Sequence, residues 1–321
     1  MKSAPRVVAL GHRFANLDPE RDVFEPLGVT VCDGRNVAPS EWAASAAGAA
    51  GLLVGSAVPV DAAFIEGLEC CRGIVRYGVG TDNIDLEAAA RRGIAVGNVP
   101  DAGVEEVSNH ALALILALHR ALPTLDRRVR SSQWGVADVT IPRLSACTLG
   151  LIGLGRIGRE VARKARAFLL HVLVYDPYVD HEVILSAGFE PVDFENLLAR
   201  SDIVSLHAAL TPATHHLLSR DAFARLKRGA IIINVARGGL IDQVALAAAL
   251  RDGIVGAAGL DVFEKEPIAG NDPLLESTQT LLTPHAAWYS SGSSLELQRR
   301  AAERLATFLQ APKGTYCDKT P

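Results

Sequence analysis

The stretch that decides the fold is TLGLIGLGRIG, residues 148–158. An apolar run enters a turn with glycine at 153, 155 and 158, and a helical segment from Arg159 to Phe168 leaves it. A G-x-G-x-x-G pattern alone is weak, because glycine-rich turns are common. Here a strand precedes it and a helix follows, as the mechanism requires. The glycines permit a tight turn, and backbone amides at a helix N-terminus can approach a pyrophosphate. The next apolar strand, Val172 to Tyr175, ends in Asp176-Pro177, with Asp176 lying 18 residues beyond Gly158. An acid there can accept hydrogen bonds from ribose hydroxyls and would repel a 2′-phosphate, which favours NAD(H) over NADP(H). Gly153, Gly155, Arg156, Ile157, Gly158, Asp176 and Pro177 are therefore candidate cofactor contacts. The competing explanation is a structural βαβ turn with a chance aspartate.

Working outward, the same rhythm continues. Further strands are predicted at Ile203–His207, Ile231–Val235, Ala257–Val262 and Thr280–Leu282. Upstream, Val7–Leu10, Val29–Cys32, Gly51–Gly55, Ile74–Tyr77 and Ile94–Val96 alternate with Ala-rich helical segments. Short continuous apolar runs separated by helical periods imply parallel sheets covered on both faces. One long helix is expected from Val104 to Leu122, with Glu105-Glu106 at the positive end of its dipole. A polar stretch from Pro123 to Ser145 joins the two series, and an amphipathic helix from Ser293 to Leu309 ends the second. The fold class is α/β, built as two Rossmann-like or flavodoxin-like halves.

With 321 residues there is chain enough for two domains, and 5% aromatics means interiors built from Ala, Val, Leu and Ile. A net charge of −4 argues against general binding to nucleic acid or anionic membrane. The basic cluster Arg127-Arg128-Val129-Arg130 reads as a solvated helix face. Five cysteines, Cys32, Cys70, Cys71, Cys147 and Cys317, are irregularly spaced, with neither C-x-x-C nor a cysteine–histidine ligand pattern. Neither a disulfide framework nor a metal site is expected, and reduced thiols fit a cytoplasmic protein. The apolar run Val7–Leu10 is too brief for a signal peptide, and Ala111–Leu118 too short to cross a bilayer.

In an open parallel sheet, ligands gather beyond the carboxyl ends of the strands. Arg237 follows the strand at Ile231, Glu266 the strand at Ala257, and His285 the strand at Thr280. Singly, each has a bland explanation: a surface arginine, a loop acid, a core histidine with satisfied nitrogens. Together they supply what hydride transfer to a 2-keto acid requires. Arg237 offers a guanidinium fork to carboxylate and carbonyl. His285, as imidazolium, donates a proton to the carbonyl oxygen. Glu266 beside it orients the ring and favours its charged form. In the first half, Arg76-Tyr77-Gly78-Val79-Gly80 ends a strand, and its turn could present backbone N–H groups to a carboxylate. A purely structural turn competes with that reading.

The segments YGVGTDNIDLEAA, LGLIGLGRIG, VYDPY, INVARGGLID, GLDVFEKEP and TPHAAWYS, within residues 50–305, together resemble the D-isomer-specific 2-hydroxyacid dehydrogenases. RGGLIDQVALAAAL and HAAWYS point toward the C-terminal-binding-protein branch and its bacterial relatives. The resemblance implies an NAD-binding Rossmann domain at 100–288 inserted in a discontinuous substrate domain, 1–99 plus 289–321, with the active site in the cleft between them. It implies a homodimer with the Val104–Leu122 helix near the interface. Arg237, Glu266 and His285 match the family's catalytic trio, and Val235, Ala236, Asp261, His207, Ala208, Thr211 and Ala287, with Arg237 and His285 again, match cofactor positions. Formate-oxidising relatives carry glutamine in place of the glutamate, so Glu266 argues against that chemistry. Phosphoglycerate-type members place an arginine where Arg76 stands, to meet a second anionic group; an outward surface arginine is the alternative. Trp288 would wall the pocket or simply pack in the core. The implied activity is NAD-dependent interconversion of a 2-keto acid and its D-2-hydroxy acid. The alternatives are an NAD(H)-sensing corepressor-like scaffold and a phosphoglycerate-type dehydrogenase.

Overall fold

The computed structural model describes residues 4–136 and 139–311. It forms two compact units, one from residues up to Gly103 together with Tyr289 onward, the other Val104–Trp288. The first unit carries strands β1 (Arg6–Leu10), β2 (Thr30–Gly34), β3 (Gly51–Val54), β4 (Gly73–Arg76) and β5 (Ala95–Gly97). They pair in parallel in the order β2-β1-β3-β4-β5. One face packs Val8, Leu10, Leu52, Val54 and Ile74 against Phe64, Ile65, Leu68 and Ala88 of the covering helices.

The opposite face is closed from the far end of the chain. Gly51 and Gly73 stand side by side in register. A methyl on Gly73 would lie 2.8 Å from Phe308, and one on Gly51 3.0 Å from Leu305. These bare positions let the helix Ser291–Gln310 lay Leu305 and Phe308 directly on the sheet. Its start is fixed by a capping box in which Ser290 and Ser293 satisfy each other's backbone N–H groups.

In the second unit, β6 (Thr148–Ile152), β7 (His171–Tyr175), β8 (Glu190–Pro191), β9 (Ile203–Leu206), β10 (Ala230–Asn234), β11 (Val255–Leu260) and β12 (Thr280–Leu282) form one parallel sheet. Its order is β12-β11-β10-β9-β6-β7-β8. Alternate residues serve opposite faces, as period-two side chains must. Leu149, Leu151, Ile203, Ile233 and Val235 meet Ala111, Leu114, Ile115 and Leu118 of the helix Val104–His119, and Val161, Ala162 and Ala165 of the helix Arg156–Ala167. Val204, Leu206 and Ile232 meet Leu197, Phe223, Leu246 and Leu250 on the other face. Full burial of a leucine such as Leu149 contributes about 1.5–3 kcal/mol.

The main departures from the sequence expectation concern the end of the long helix and one edge strand. The long helix stops at His119, because Ala121 takes a left-handed φ of 51°. A second helix, Leu122–Arg130, then opens with Pro123 in its first turn and carries Arg127–Arg130 on the solvated helix face expected for them. Glu190–Pro191 adds a short edge strand that its composition conceals. Cys32, Cys70, Cys71 and Cys147 are free thiols; Cys317 lies outside the described residues. No helix among the described residues is long and apolar enough to cross a membrane.

Candidate active site

Because every strand of the second sheet is parallel, the segments that follow β6, β7, β9, β10, β11 and β12 emerge at one edge. The chain leaves β6 in one direction for β7 and returns to its other side as β9, so a crevice opens between those strand ends. Gly153 lines it with φ of 93°, and a side chain there would lie 2.8 Å from the Ala208 nitrogen. A side chain on Gly158 would strike the Gly153 carbonyl. Gly155 differs: nothing lies within 4 Å of where its Cβ would be. It caps the helix Arg156–Ala167 without a side-chain hydrogen bond, leaving helix N-terminal amides for an anion. These residues fit a dinucleotide pyrophosphate.

Asp176 does more than stand ready for a ribose. Its Oδ2 accepts from the Leu154 N–H at 2.7 Å and its Oδ1 from the Tyr178 N–H at 2.9 Å. The carboxylate thus ties the glycine turn to the end of β7 while keeping lone pairs for further donors. Pro177 beside it is exposed. Past β9, the His207 Nε2 pairs with Ser205 Oγ at 2.8 Å, and burial pushes its pKa down to about 3. His207 is therefore neutral at pH 7 and is no proton donor there. Thr211 belongs to the loop beyond, held by Thr214.

Arg237 follows β10 in a turn organised by Asn234, which sequence reasoning passed over. The Asn234 amide accepts from the Ala236 N–H at 3.0 Å and donates to the Arg237 carbonyl at 2.9 Å. Its one visible signal is a polar residue at the end of an otherwise apolar strand. Val235 is buried and Ala236 half-buried. The Arg237 guanidinium, half-buried, donates through Nη1 to the Ala236 carbonyl at 2.7 Å.

Glu266 and His285 meet directly, with Oε2 2.6 Å from Nδ1. The other Glu266 oxygen accepts from the Phe263 N–H at 3.1 Å. Burial raises the Glu266 pKa, but the hydrogen bond and charge of His285, the Phe263 amide and the Arg237 charge outweigh it, leaving it below the ordinary value. With Nδ1 taken by Glu266, Nε2 is the ring nitrogen left for chemistry. Trp288 donates its indole N–H to the His285 carbonyl at 3.0 Å and packs against the core. Ala287 is buried.

In the first unit, Arg76 is 8% exposed, which removes the outward-surface alternative. Its guanidinium lies against Gly78, where any Cβ would clash with it. Tyr77 is buried and donates its hydroxyl to Glu20 at 2.7 Å. Val79 keeps an exposed side chain, while its carbonyl accepts from Asn98 at 2.5 Å. Gly80 follows in the same turn.

Residues 112–287 match the model of the D-isomer specific 2-hydroxyacid dehydrogenase, NAD binding domain. The chain belongs to that family. Within it, a D-3-phosphoglycerate dehydrogenase of Mycobacterium leprae is 43% identical over 255 residues, 79% of this chain and 47% of that protein. The chain thus spans about half the length of such relatives. A glyoxylate reductase of Korarchaeum cryptofilum is 41% identical over 254 residues, covering 78% of this chain and 76% of that one. Among family structures, an Aquifex aeolicus D-lactate dehydrogenase complexed with NAD and lactic acid superposes with a TM-score of 0.85 at 28% identity, over 95% of both chains. The family's NAD cofactor and two-sheet α/β fold apply to this chain.

Proposed function

We propose that the chain is an NAD(H)-dependent dehydrogenase interconverting a 2-keto acid and its D-2-hydroxy acid. The observation that carries the proposal is the 2.6 Å Glu266–His285 pair, at the sheet edge that also bears Arg237 and the glycine turn. Arg237 binds and orients the substrate carboxylate through its planar fork. His285 holds a proton at Nε2 and releases it to the carbonyl oxygen in reduction, or takes it from the hydroxyl in oxidation. Glu266 fixes the ring. NADH, when bound, supplies the hydride that this proton accompanies. Gly153, Gly155, Arg156, Ile157, Gly158 and Asp176 would hold its pyrophosphate and adenosine ribose. His207, Ala208, Thr211, Val235, Ala236, Asp261 and Ala287 are assigned to the remaining cofactor contacts. Arg76, Tyr77, Gly78, Val79, Gly80 and Trp288 are assigned to substrate binding.

A second substrate class, a phosphorylated 2-hydroxy acid, is favoured by the similarity to D-3-phosphoglycerate dehydrogenases. Assaying phosphorylated and unphosphorylated keto acids with NADH and NADPH, by nicotinamide absorbance, separates the two. The expected result is turnover with NADH well above that with NADPH. Barely measurable turnover on every acid would instead support the corepressor-like scaffold, the branch that the HAAWYS segment resembles.

Glu266→Gln gives a pH test. The Glu266 carboxylate, held below its ordinary range, is lost only as pH falls through that lowered value, so the acid limb of the profile should be present in the unmodified enzyme and absent from the variant, whose kcat is lower throughout. A pH–rate profile of kcat reads this directly, and an acid limb that persists in the variant means that another group sets it. We further infer a cytoplasmic homodimer. Free thiols support the compartment, and exposed Leu122, Val129, Trp134 and Val136 on neighbouring segments support the partner. Fractionation and sedimentation equilibrium test these two points.

A further inference from the structure

His285 sits in a left-handed backbone conformation, φ 53°, which a side chain other than glycine keeps only when its surroundings enforce it. The enforcement comes from one buried residue. Asp261, 1% exposed at the end of β11, accepts the His285 N–H on its own carbonyl at 2.8 Å. Its Oδ1 accepts the Ala286 N–H and its Oδ2 the Ala287 N–H, both at 2.9 Å. Three consecutive amides of the histidine loop therefore end on Asp261.

A chain of donors stands behind that carboxylate. Thr283 Oγ1 lies 2.5 Å from Asp261 Oδ1, and as the carboxylate can only accept, the hydroxyl must donate. The threonine oxygen is then left to accept, and His110 Nε2 lies 2.9 Å from it. The direction of the relay is fixed: His110 Nε2–H to Thr283 Oγ1–H to Asp261 Oδ1. His110 stands on the helix Val104–His119, whose Ile115 and Leu118 are buried in the sheet-facing core, so its anchor is rigid. At 3.8 Å from Asp261 Oδ1, its ring nitrogen also places a donor dipole toward the buried charge.

We propose that His110 and Thr283 are positioning residues, which set the His285 loop by orienting Asp261. The proposal rests on reading His285 as the proton donor, and it adds a shell of residues that neither touch substrate nor resemble the catalytic trio. Asp261 acts in it as the loop's buried anchor. Free rotation of that carboxylate would release Ala286 and Ala287 and let the imidazole drift from Glu266. Displacement of a reacting group by about 1 Å can lower turnover on the order of a hundredfold.

The test compares Thr283→Val with Thr283→Ser, and His110→Phe with His110→Gln. Valine and phenylalanine remove the hydrogen-bonding group at nearly the same volume, while serine and glutamine keep a donor in place. Thr283→Val and His110→Phe should lower kcat at least about tenfold and raise KM for NADH by a smaller factor, the pattern of a lost geometry more than of lost binding. The second readout needs no turnover: the ¹⁵N NMR signal of the His285 Nδ1 that contacts Glu266, recorded at one pH in the enzyme without cofactor and assigned with His285→Ala. Thr283→Val and Thr283→Ser leave Glu266, Arg237, Asp261 and His110 in place, so a change in that signal reports on geometry. It should move in Thr283→Val and return in Thr283→Ser. An unmoved signal in Thr283→Val with unchanged kcat in both Thr283→Val and His110→Phe overturns the relay, as does a serine variant as impaired as the valine one. His285→Ala separates the two readings. If it keeps full turnover, the donor assignment fails while the NMR comparison still reports on the relay.

Discussion

Turnover of the His285→Ala variant should be at least about a hundredfold below that of the unmodified enzyme, the scale on which a positioned acid contributes. The expectation follows from how the ring is held. Glu266 takes Nδ1 at 2.6 Å, the loop amide is bound to Asp261, and the carbonyl is bound to Trp288. With ring and backbone both fixed, Nε2 has one direction in which to deliver a proton, and alanine leaves nothing to replace it. Water could donate, but without fixed orientation. Affinity for NADH should change little, because the glycine turn and Asp176 lie on other strands. Fluorescence titration of NADH beside steady-state kinetics checks both halves. Turnover within a few-fold of the unmodified enzyme would mean that the proton comes from elsewhere.

The second large effect is expected at Arg237. Lysine retains the charge and loses the planar pair of donors, so substrate carboxylate and carbonyl can no longer be gripped at two points. A hydrogen bond to a charged group contributes about 1.5–3 kcal/mol, which corresponds to a fall in kcat/KM of tens to about a hundredfold. Most of the loss should fall on KM. The fold around the site should survive, because the turn is held by the Asn234 side chain and backbone rather than by the guanidinium. Unchanged kcat and KM in Arg237→Lys would place the substrate carboxylate away from this residue.

Much of this was legible in the sequence because the signals are local. A strand, three glycines, a helix and an acid in sequence register can be seen without a structure, and so can a histidine placed just after an apolar run. What the sequence could not display is pairing between distant segments. Asn234 lies within a strand that is otherwise Ile and Ala, and its role appears only when the following turn folds back on it. The cofactor position of Asp261 came from resemblance, and the hydrogen bonds by which its carboxylate also holds the 283–287 segment appear only in the folded chain. His110 and Thr283 are 173 positions apart, so no periodicity could link them. Local chemistry was also enough for the basic cluster Arg127–Arg130, read as a solvated helix face: it lies on the exposed helix Leu122–Arg130, with proline in the first turn and arginines in the last.

The bare strip formed by Gly51 and Gly73 has a consequence for biosynthesis. The sheet of the first unit is translated early, but the side chains that cover one of its faces, Leu305 and Phe308, follow its strands by roughly two hundred residues. The second unit is contiguous in sequence, so all of its strands are available once residue 288 has emerged. Nascent chains should therefore acquire their dinucleotide-binding half first, while one apolar face of the other sheet is still uncovered. Chaperone capture during that interval, and aggregation of chains truncated before Ser291, are the costs of letting a distant helix finish what the first strands began.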